Sequence, residues 1–511
     1  MIKCYRNGKC FLRKENMMNS NNFEENVLSL IEENGFSPIG RILDLDDVPT
    51  QNGGKLCLGT ECLDRDLWDF DRAFPLIKKL GVHHVRLQSG WQKTEKEKGV
   101  YDFAWLDHIV DTLVDAGIEP FLCLCYGHKL YCQTPEKCQN IDNGGVGHMP
   151  IEFEEEKGAW VNYVEATVAH FKGRIKQYEI WNEPDVGAFC RTNLPWMDAY
   201  VELVKMTAPA IKRIYPDATV ITCSAHFENI KRMMDRGILD YSDIHSFHGY
   251  AFYAELCASD NRINGISHLK AKKPNLTIWR GEAGCPSYND PKSNGALKEV
   301  AATETKQAKF LLRHLIGDLN NDEIALTSYF HAYDFMHFSG ACRYFYGLIR
   351  HEPLSVKPSY NCFQLLTHIF DGNVRRCNEY RMSFADWMKN GMKGEEILAI
   401  KFLSFKRDDK VFFAYYFPKE IGDEPFVDTV QLTMPYMEGQ MKNPVIVDLL
   451  TRKIYSAENN MQFNAPITDY PMLVMDFDMI KDIAVIDAPE NAGEDTLAAF
   501  YDKFKEQKDE E

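Results

Sequence analysis

The sequence predicts an α/β protein: a closed (β/α)8 TIM barrel followed by a C-terminal antiparallel β-sandwich. Three observations predict it. Between about residues 55 and 370, short apolar runs alternate eight times with segments of helical spacing. Those runs are nearly continuous in Val, Ile, Leu and Cys, as in parallel strands covered on both faces. Beyond about residue 390, further strand-like runs follow one another with no helix between them, the pattern of a small antiparallel sandwich. The chain thus divides into an N-terminal extension (1–54), the barrel (55–380), the sandwich (390–482) and an acidic C-terminal tail (483–511).

The extension carries helical spacing from Phe23 to Glu33, ended by Asn34-Gly35, and a loop from Asp44 to Gly54. Lys55–Thr60 is the first barrel strand. Leu67–Leu80 is its helix, stopped by Gly81, since glycine readily takes the left-handed conformation that ends a helix. Val82–Gln88 is the second strand, Leu106–Ala116 a helix stopped by Gly117, and Ile118–Tyr126 the third strand. Ala159–Phe171 is helical before a fourth strand that runs into Trp181-Asn182-Glu183-Pro184, where proline ends the ladder. Helix Trp196–Ile214, strand Ala218–Cys223, a short helix Ile230–Arg236 and strand Ile244–Gly249 follow. The seventh strand, Leu276–Gly281, runs into Glu282; a long helix, Lys298–Asp318, leads to the eighth, Ile324–Phe330. The segment Val356–Phe370 closes the barrel as its eighth helix. An open doubly wound sheet is the competing topology, but no glycine-rich phosphate loop follows the first strand. Sandwich strands are expected at Ile397–Phe405, Val411–Tyr416, Thr429–Met434, Val445–Leu450 and Met472–Phe477.

Bulk properties narrow the function. A formal net charge of −17 disfavours nucleic acid and anionic membrane surfaces, which require a basic face. It leaves a homo-oligomer open. The opening residues lack an apolar stretch typical of a secretory signal, and no run of about eighteen apolar residues occurs, so the expected location is cytoplasmic. The 15 cysteines form no disulfide framework and are expected to be reduced. Cys132 and Cys138 lack zinc-site spacing and a second pair, and neither a metal nor a cofactor is expected.

The chemistry concentrates at strand ends. Glu183 closes the fourth strand and Glu282 the seventh, and barrels keep their chemistry at those carboxyl ends. Either glutamate alone could cap a helix or pair with a surface lysine. Two carboxylates facing each other across a sugar are the machinery of glycoside cleavage. Asn182-Glu183-Pro184 with Glu282 resembles the acid/base and nucleophile of the clan A glycoside hydrolases. Within the clan the chain is most similar to family thirty-nine, the β-xylosidases and α-L-iduronidases, over roughly residues 55–375. The resemblance implies a retaining enzyme with Glu183 as acid/base and Glu282 as nucleophile. It also implies that Arg86 reaches the nucleophile, that Tyr250 of the pair His248/Tyr250 hydrogen-bonds it, and that Asn182 holds the sugar 2-hydroxyl.

Trp91, Tyr126, His128, Trp279 and His331 fall near other strand ends and could form an aromatic wall for the sugar, although each alone is more often packing. Arg280 shares strand parity with Glu282 and would point into the same pocket. His245 and His248 could suggest a metal, but no acidic ligand lies at matching spacing. The expected function is a retaining exo-β-glycosidase of short oligosaccharides. A non-catalytic carbohydrate-binding barrel would normally lack one of the two glutamates, whereas a transglycosylase would keep both.

Overall fold

The computed structural model describes residues 20–50, 53–135, 141–251, 253–257, 260–288, 295–297, 302–336, 343–387, 399–435, 441–457 and 462–487. Eight parallel strands close into a barrel in sequential order. They are β1 (Leu56–Gly59), β2 (His84–Gln88), β3 (Glu119–Leu124), β4 (Gln177–Ile180), β5 (Thr219–Ser224), β6 (Ile244–His248), β7 (Thr277–Ala283) and β8 (Ile324–Tyr329). All eight strands thus stand where the apolar runs predict. Closure comes from β8 pairing with β1, Thr327 opposite Leu56.

Helices Phe70–Lys79, Ala104–Asp115, Glu154–Phe171, Trp196–Ile214, Asn229–Asp235, Asp260–Lys272, Glu304–Leu319 and Pro358–Ile369 surround the barrel. Asp260–Lys272 is not anticipated by apolar spacing: Ile266 and Leu269 are buried, on a helix otherwise rich in polar residues. The first residues of the expected helix from Lys298 lie outside the described residues; its described part is Glu304–Leu319.

Inward-facing side chains fill the barrel in layers. Cys57, Phe121, Ile221, Ile244, Trp279 and Leu326 form an apolar floor. Above it lie Arg86, Cys123, Glu179 and Ser246, all fully buried. Outward-facing residues such as Tyr178, Ile180, Val220 and Phe247 join the large core between strands and helices.

The C-terminal strands form two antiparallel sheets. One contains Ser383–Trp387, Val427–Thr433 and Gln462–Thr468; the other has eight strands, among them Lys401–Arg407, Lys410–Tyr416, Pro444–Asp448 and Met472–Asp476. This larger sheet also takes in Pro38–Ile42, which lies between Lys453–Ser456 and Ala484–Ile486. The extension therefore contributes a strand to the sandwich, a long-range pairing that five residues with little alternation do not announce. Its helix spans Ser20–Glu33. Of the acidic tail, residues 488–511 lie outside the described residues. The sandwich is tied to the barrel by the ion pair of Lys309 with Asp469 at 2.8 Å and by Phe370 packed edge-on against Phe405.

Candidate active site

The end of β4 is shaped to present two polar side chains. Trp181 and Glu183 both have positive φ, 69° and 45°, a conformation that non-glycine residues adopt at a cost and mainly at functional turns. Several bonds hold this turn. The Trp181 backbone N–H donates to Leu124 O at 3.0 Å and its indole to Phe189 O at 2.8 Å. The Glu183 backbone N–H points at Cys223 Sγ, 3.4 Å away. Asp185 accepts from Ala225 N, His226 N and the Asn229 side chain at 2.7–3.0 Å, locking the loop after β4 to the loop after β5. These donors outweigh burial and hold the Asp185 carboxyl below its usual range.

Strand β7 supplies the second carboxylate through a break in register. Against β6 it pairs Arg280 with Phe247 and then Glu282 with His248, so one residue is skipped. A bulge of this kind resets which side the following residue faces. Trp279 stays inward, Arg280 outward, and Glu282 turns into the mouth. Gly281 sits at the break, where a Cβ would collide with Ser246 Oγ.

Arg86 is the hub. Its guanidinium is fully buried and holds Glu282 Oε2 at 2.9 Å, Glu61 Oε1 at 2.9 Å, Glu179 Oε2 at 2.7 Å and Asn182 Oδ1 at 2.9 Å. Tyr250 donates its hydroxyl to Glu282 Oε1 at 2.8 Å, so both oxygens of Glu282 are engaged. His248 Nδ1 lies 2.8 Å from Glu183 Oε1 and 3.6 Å from Glu282 Oε2, between the two carboxylates. The ligand atoms of Glu183, His248 and Glu282 all lie within 4.8 Å of one another.

The environments of the two carboxyls differ. Burial, with the nearby Glu282 and Asp185 carboxylates, raises the Glu183 carboxyl, and His248 opposes this only in part. Burial works against a charge on His248, but Glu282, Cys223 and Glu183 outweigh it and raise the imidazole well above its ordinary value. Glu282 instead has a guanidinium, whose charge is permanent, and a phenol kept protonated by burial and by Glu282 itself. Four carboxyl groups (Glu61, Glu179, Glu183, Glu282) thus surround one arginine and one histidine. The arrangement favours a proton on Glu183.

The chain matches the family described as Glycosyl hydrolases family 39 over residues 69–379. It belongs to that family. Over 69 residues it is 32% identical to the β-galactosidase BgaH of Haloferax lucentense, and over 189 residues 26% identical to a β-xylosidase of Geobacillus stearothermophilus. These stretches cover 13% and 32% of this chain but only 10% and 35% of those relatives. A family 39 glycoside hydrolase from Bacteroides cellulosilyticus WH2 superposes with a TM-score of 0.60 at 17% identity, covering 85% of this chain and 82% of that one. A monomeric β-xylosidase from Caulobacter crescentus CB15 gives a TM-score of 0.53 at 16% identity, covering 85% and 99%. At such identities the structural likeness is one of fold. The family is one of glycosyl hydrolases.

At the mouth of the barrel, Glu183, Glu282, Asn182, Arg86, His248 and Tyr250 meet at one point. The expected aromatic wall does not assemble there. Trp91 is fully buried, stacked between Tyr131 and Tyr163, with its indole on Glu95 Oε2 at 2.5 Å. His128 belongs to the same cluster and bonds Glu95 O at 2.7 Å. Trp279 packs edge-on against Phe121 in the barrel floor, beneath the carboxylates. Tyr126 is buried against Trp181, its hydroxyl accepting from Gln88 at 3.1 Å. His331 is buried 3.5 Å from Glu61 Oε2, one residue removed from Arg86, and burial lowers its imidazole to about 4. Strand-end position alone misassigns these residues, because alternate positions at a barrel rim point into packing.

Arg280 is also corrected. It leaves the pocket and pairs with Asp318 of helix Glu304–Leu319 at 2.6 and 3.0 Å. Sequence reasoning misses Glu61, Glu179 and Cys223. Glu179 had a signal, a charged residue at an inward position of an apolar strand.

Among the described residues, two sets of side chains have metal-ligand reach: Glu183, His248 and Glu282, and Glu179, Cys223 and His248. Both share His248, and Arg86 already bonds Glu179 and Glu282, placing a fixed cation where an ion would bind.

Proposed function

We propose that this glycosyl hydrolase is a retaining exo-β-glycosidase acting on short oligosaccharides or glycosides, in the cytoplasm, by double displacement. The observation that carries the reading is the closeness of the Glu183 and Glu282 oxygens, within 4.8 Å. Retaining enzymes hold their carboxyls about 5–5.5 Å apart, whereas inverting ones leave ~6.5–9.5 Å for a water. The side chains of both glutamates are only 13% exposed, which suits a pocket that accepts a chain end rather than an open cleft.

In the first step Glu183 gives its proton to the departing glycosidic oxygen while Glu282 attacks the anomeric carbon. The C–O bond to the leaving group breaks and a glycosyl ester on Glu282 forms. Arg86 and Tyr250 hold both Glu282 oxygens and fix their direction, and Asn182, held by Arg86, can bind the sugar 2-hydroxyl. In the second step Glu183, now a carboxylate, takes a proton from water, which attacks the same carbon and releases Glu282. His248 bonds Glu183 in both states and positions it.

A panel of nitrophenyl glycosides (xyloside, galactoside, glucoside, arabinoside) identifies the sugar. On that substrate Glu282→Gly is expected to lose several orders of magnitude of activity whatever the leaving group, and azide should restore turnover with inverted configuration. Glu183→Ala is expected to keep its first step with dinitrophenyl leaving groups but lose on the order of 10²–10⁴ with poor ones. Azide should rescue that variant with retained configuration. Azide adducts of the same anomer from both variants, or full activity in either, would overturn the assignment.

A further inference from the structure

We propose that Cys132 is a nucleophilic thiol served by His148 as base and Glu156 as the base's orienting carboxylate, forming a site of exchange with small-molecule disulfides apart from the glycosidic pair. Cys132 and His148 come from the long segment between β3 and helix Glu154–Phe171, and Glu156 from that helix. The Cys132 backbone N–H donates to His128 O at 3.0 Å, closing one turn that leaves the side chain half-buried. Its Sγ lies 3.8 Å from His148 Nδ1. The opposite ring nitrogen, Nε2, bonds Glu156 Oε1 in the first turn of the following helix.

The order thiol–imidazole–carboxylate is the arrangement by which a nucleophile is activated, the base accepting its proton and the acid fixing the base. The thiol and carboxylate lie on opposite edges of the ring, so the three cannot chelate one ion. Glu156 is fully buried, and its second oxygen has no hydrogen-bond partner among the described residues. The bond to Glu156 fixes the ring so that Nδ1 faces the Cys132 thiol and can take its proton in the attack.

The other thiols contrast with it. Burial pushes Cys57 and Cys123 far up and Cys223 to about 11. Among cysteines whose exposure is described, only Cys190 shares the half-buried state of Cys132, and burial with the nearby Asp185 carboxylate pushes it to about 12. In the exchange, the Cys132 thiolate attacks one sulfur of the disulfide and a new S–S bond forms. The old S–S bond breaks, and the departing thiolate carries away the electron pair. Cys132 is oxidised, and the released half is reduced.

The test is pulse alkylation of the full chain with iodoacetamide across pH 5–10, quantified by peptide mass spectrometry with Cys190 as internal reference. Cys132 is expected to react at least about tenfold faster than Cys190 at pH 7, with a midpoint below the ~8.5 of an ordinary thiol. His148→Asn and, independently, Glu156→Gln should move the midpoint up and cut the pH 7 rate. Oxidised glutathione should add reversibly at Cys132 first. A Cys132 no faster than Cys190, or an ordinary wild-type midpoint, would overturn the proposal, and the wild-type profile alone decides this if a variant does not fold.

Discussion

The inner mouth of the barrel and its outer wall each contain a buried arginine and a buried histidine, in opposite states of completion. Outside, Arg280 gives two nitrogens to Asp318, which also accepts from Thr327 and contacts His314. Burial opposes the Asp318 charge, but these partners outweigh it and hold the carboxyl far below its usual range. His245, on the outer face of β6, bonds the hydroxyls of Thr222 and Ser224, and burial lowers it to about 3. Inside, Arg86 is shared by three carboxylates and an amide, while His248, three residues beyond His245, is raised between two acids. The outer pairs are closed and serve stability. The inner set carries more acid than it can neutralise, and in the proposed mechanism that surplus leaves Glu183 the proton it donates.

The largest effects should come from exchanging the two arginines for lysine. A lysine keeps the charge but cannot serve several acceptors in a planar fork. Arg86→Lys is expected to cost about 10²–10³ in kcat/KM, comparable to losing a stabilising donor at the reacting centre. Arg280→Lys should leave kcat/KM within about twofold but lower urea stability by about 1–3 kcal/mol, since part of Asp318 is left unsatisfied. Initial rates and denaturation curves on both variants check this. If Arg280→Lys were the catalytically impaired one, the division between inside and outside would fail.

The difference between the two faces of β7 was not legible in the sequence. Parity placed Arg280 with Glu282, and only the skipped residue opposite β6 separates them. A bulge depends on tertiary packing at Gly281 and leaves no periodic signature. The barrel itself was legible, because each strand is a short apolar run and each run is followed by a turn signal. Asn182, Glu183 and Glu282 stood out because polar residues interrupt apolar strands at their carboxyl ends. Glu61 did not, since Thr60-Glu61-Cys62 reads as an ordinary loop until Arg86 is seen across from it. The strand Pro38–Ile42 was hidden for a similar reason: its partners lie more than 400 residues away.

The histidines sharpen the comparison through pH. His245 is lowered from its ordinary ~6.5 to about 3 in the folded chain. Its neutral form is therefore the stable one. As pH falls below about 6.5 the unfolded chain takes up a proton that the folded chain refuses. Stability contributed by this site should fall by about 1.4 kcal/mol per pH unit between 6.5 and 3, or about 2 kcal/mol by pH 5. His245→Gln should flatten that slope by this amount in urea titrations at pH 7, 6 and 5. An unchanged slope would mean that the imidazole is not held neutral by its two hydroxyl partners.

The proton on Glu183 can be read from kinetics in the same way. Its raised value means that the acid form, needed in the first step, survives to higher pH than for an ordinary carboxyl. The kcat/KM of a poor leaving group should fall as pH rises through that value, about tenfold per unit. A dinitrophenyl substrate, which needs little protonation, should lack this alkaline limb. An identical limb on both substrates would assign it to another group.

The smallest expected effect is none. His248 is within ligand distance of acids on two sides, so the inner mouth has donors enough to bind a divalent ion. The electrostatics argue against it as a working site. Nδ1 is committed to Glu183, the ring is raised toward its charged form, and a metal binds only the neutral imidazole. An ion between Glu183 and Glu282 would also displace Arg86 from Glu282 Oε2 and remove the proton that Glu183 must donate. Added zinc is therefore expected to inhibit rather than activate, and exhaustive chelation to leave the rate unchanged. A chelated enzyme that loses activity and regains it only with zinc would turn the His248 cluster from an acid's neighbour into a metal centre, and the inner mouth would have to be reread on that basis.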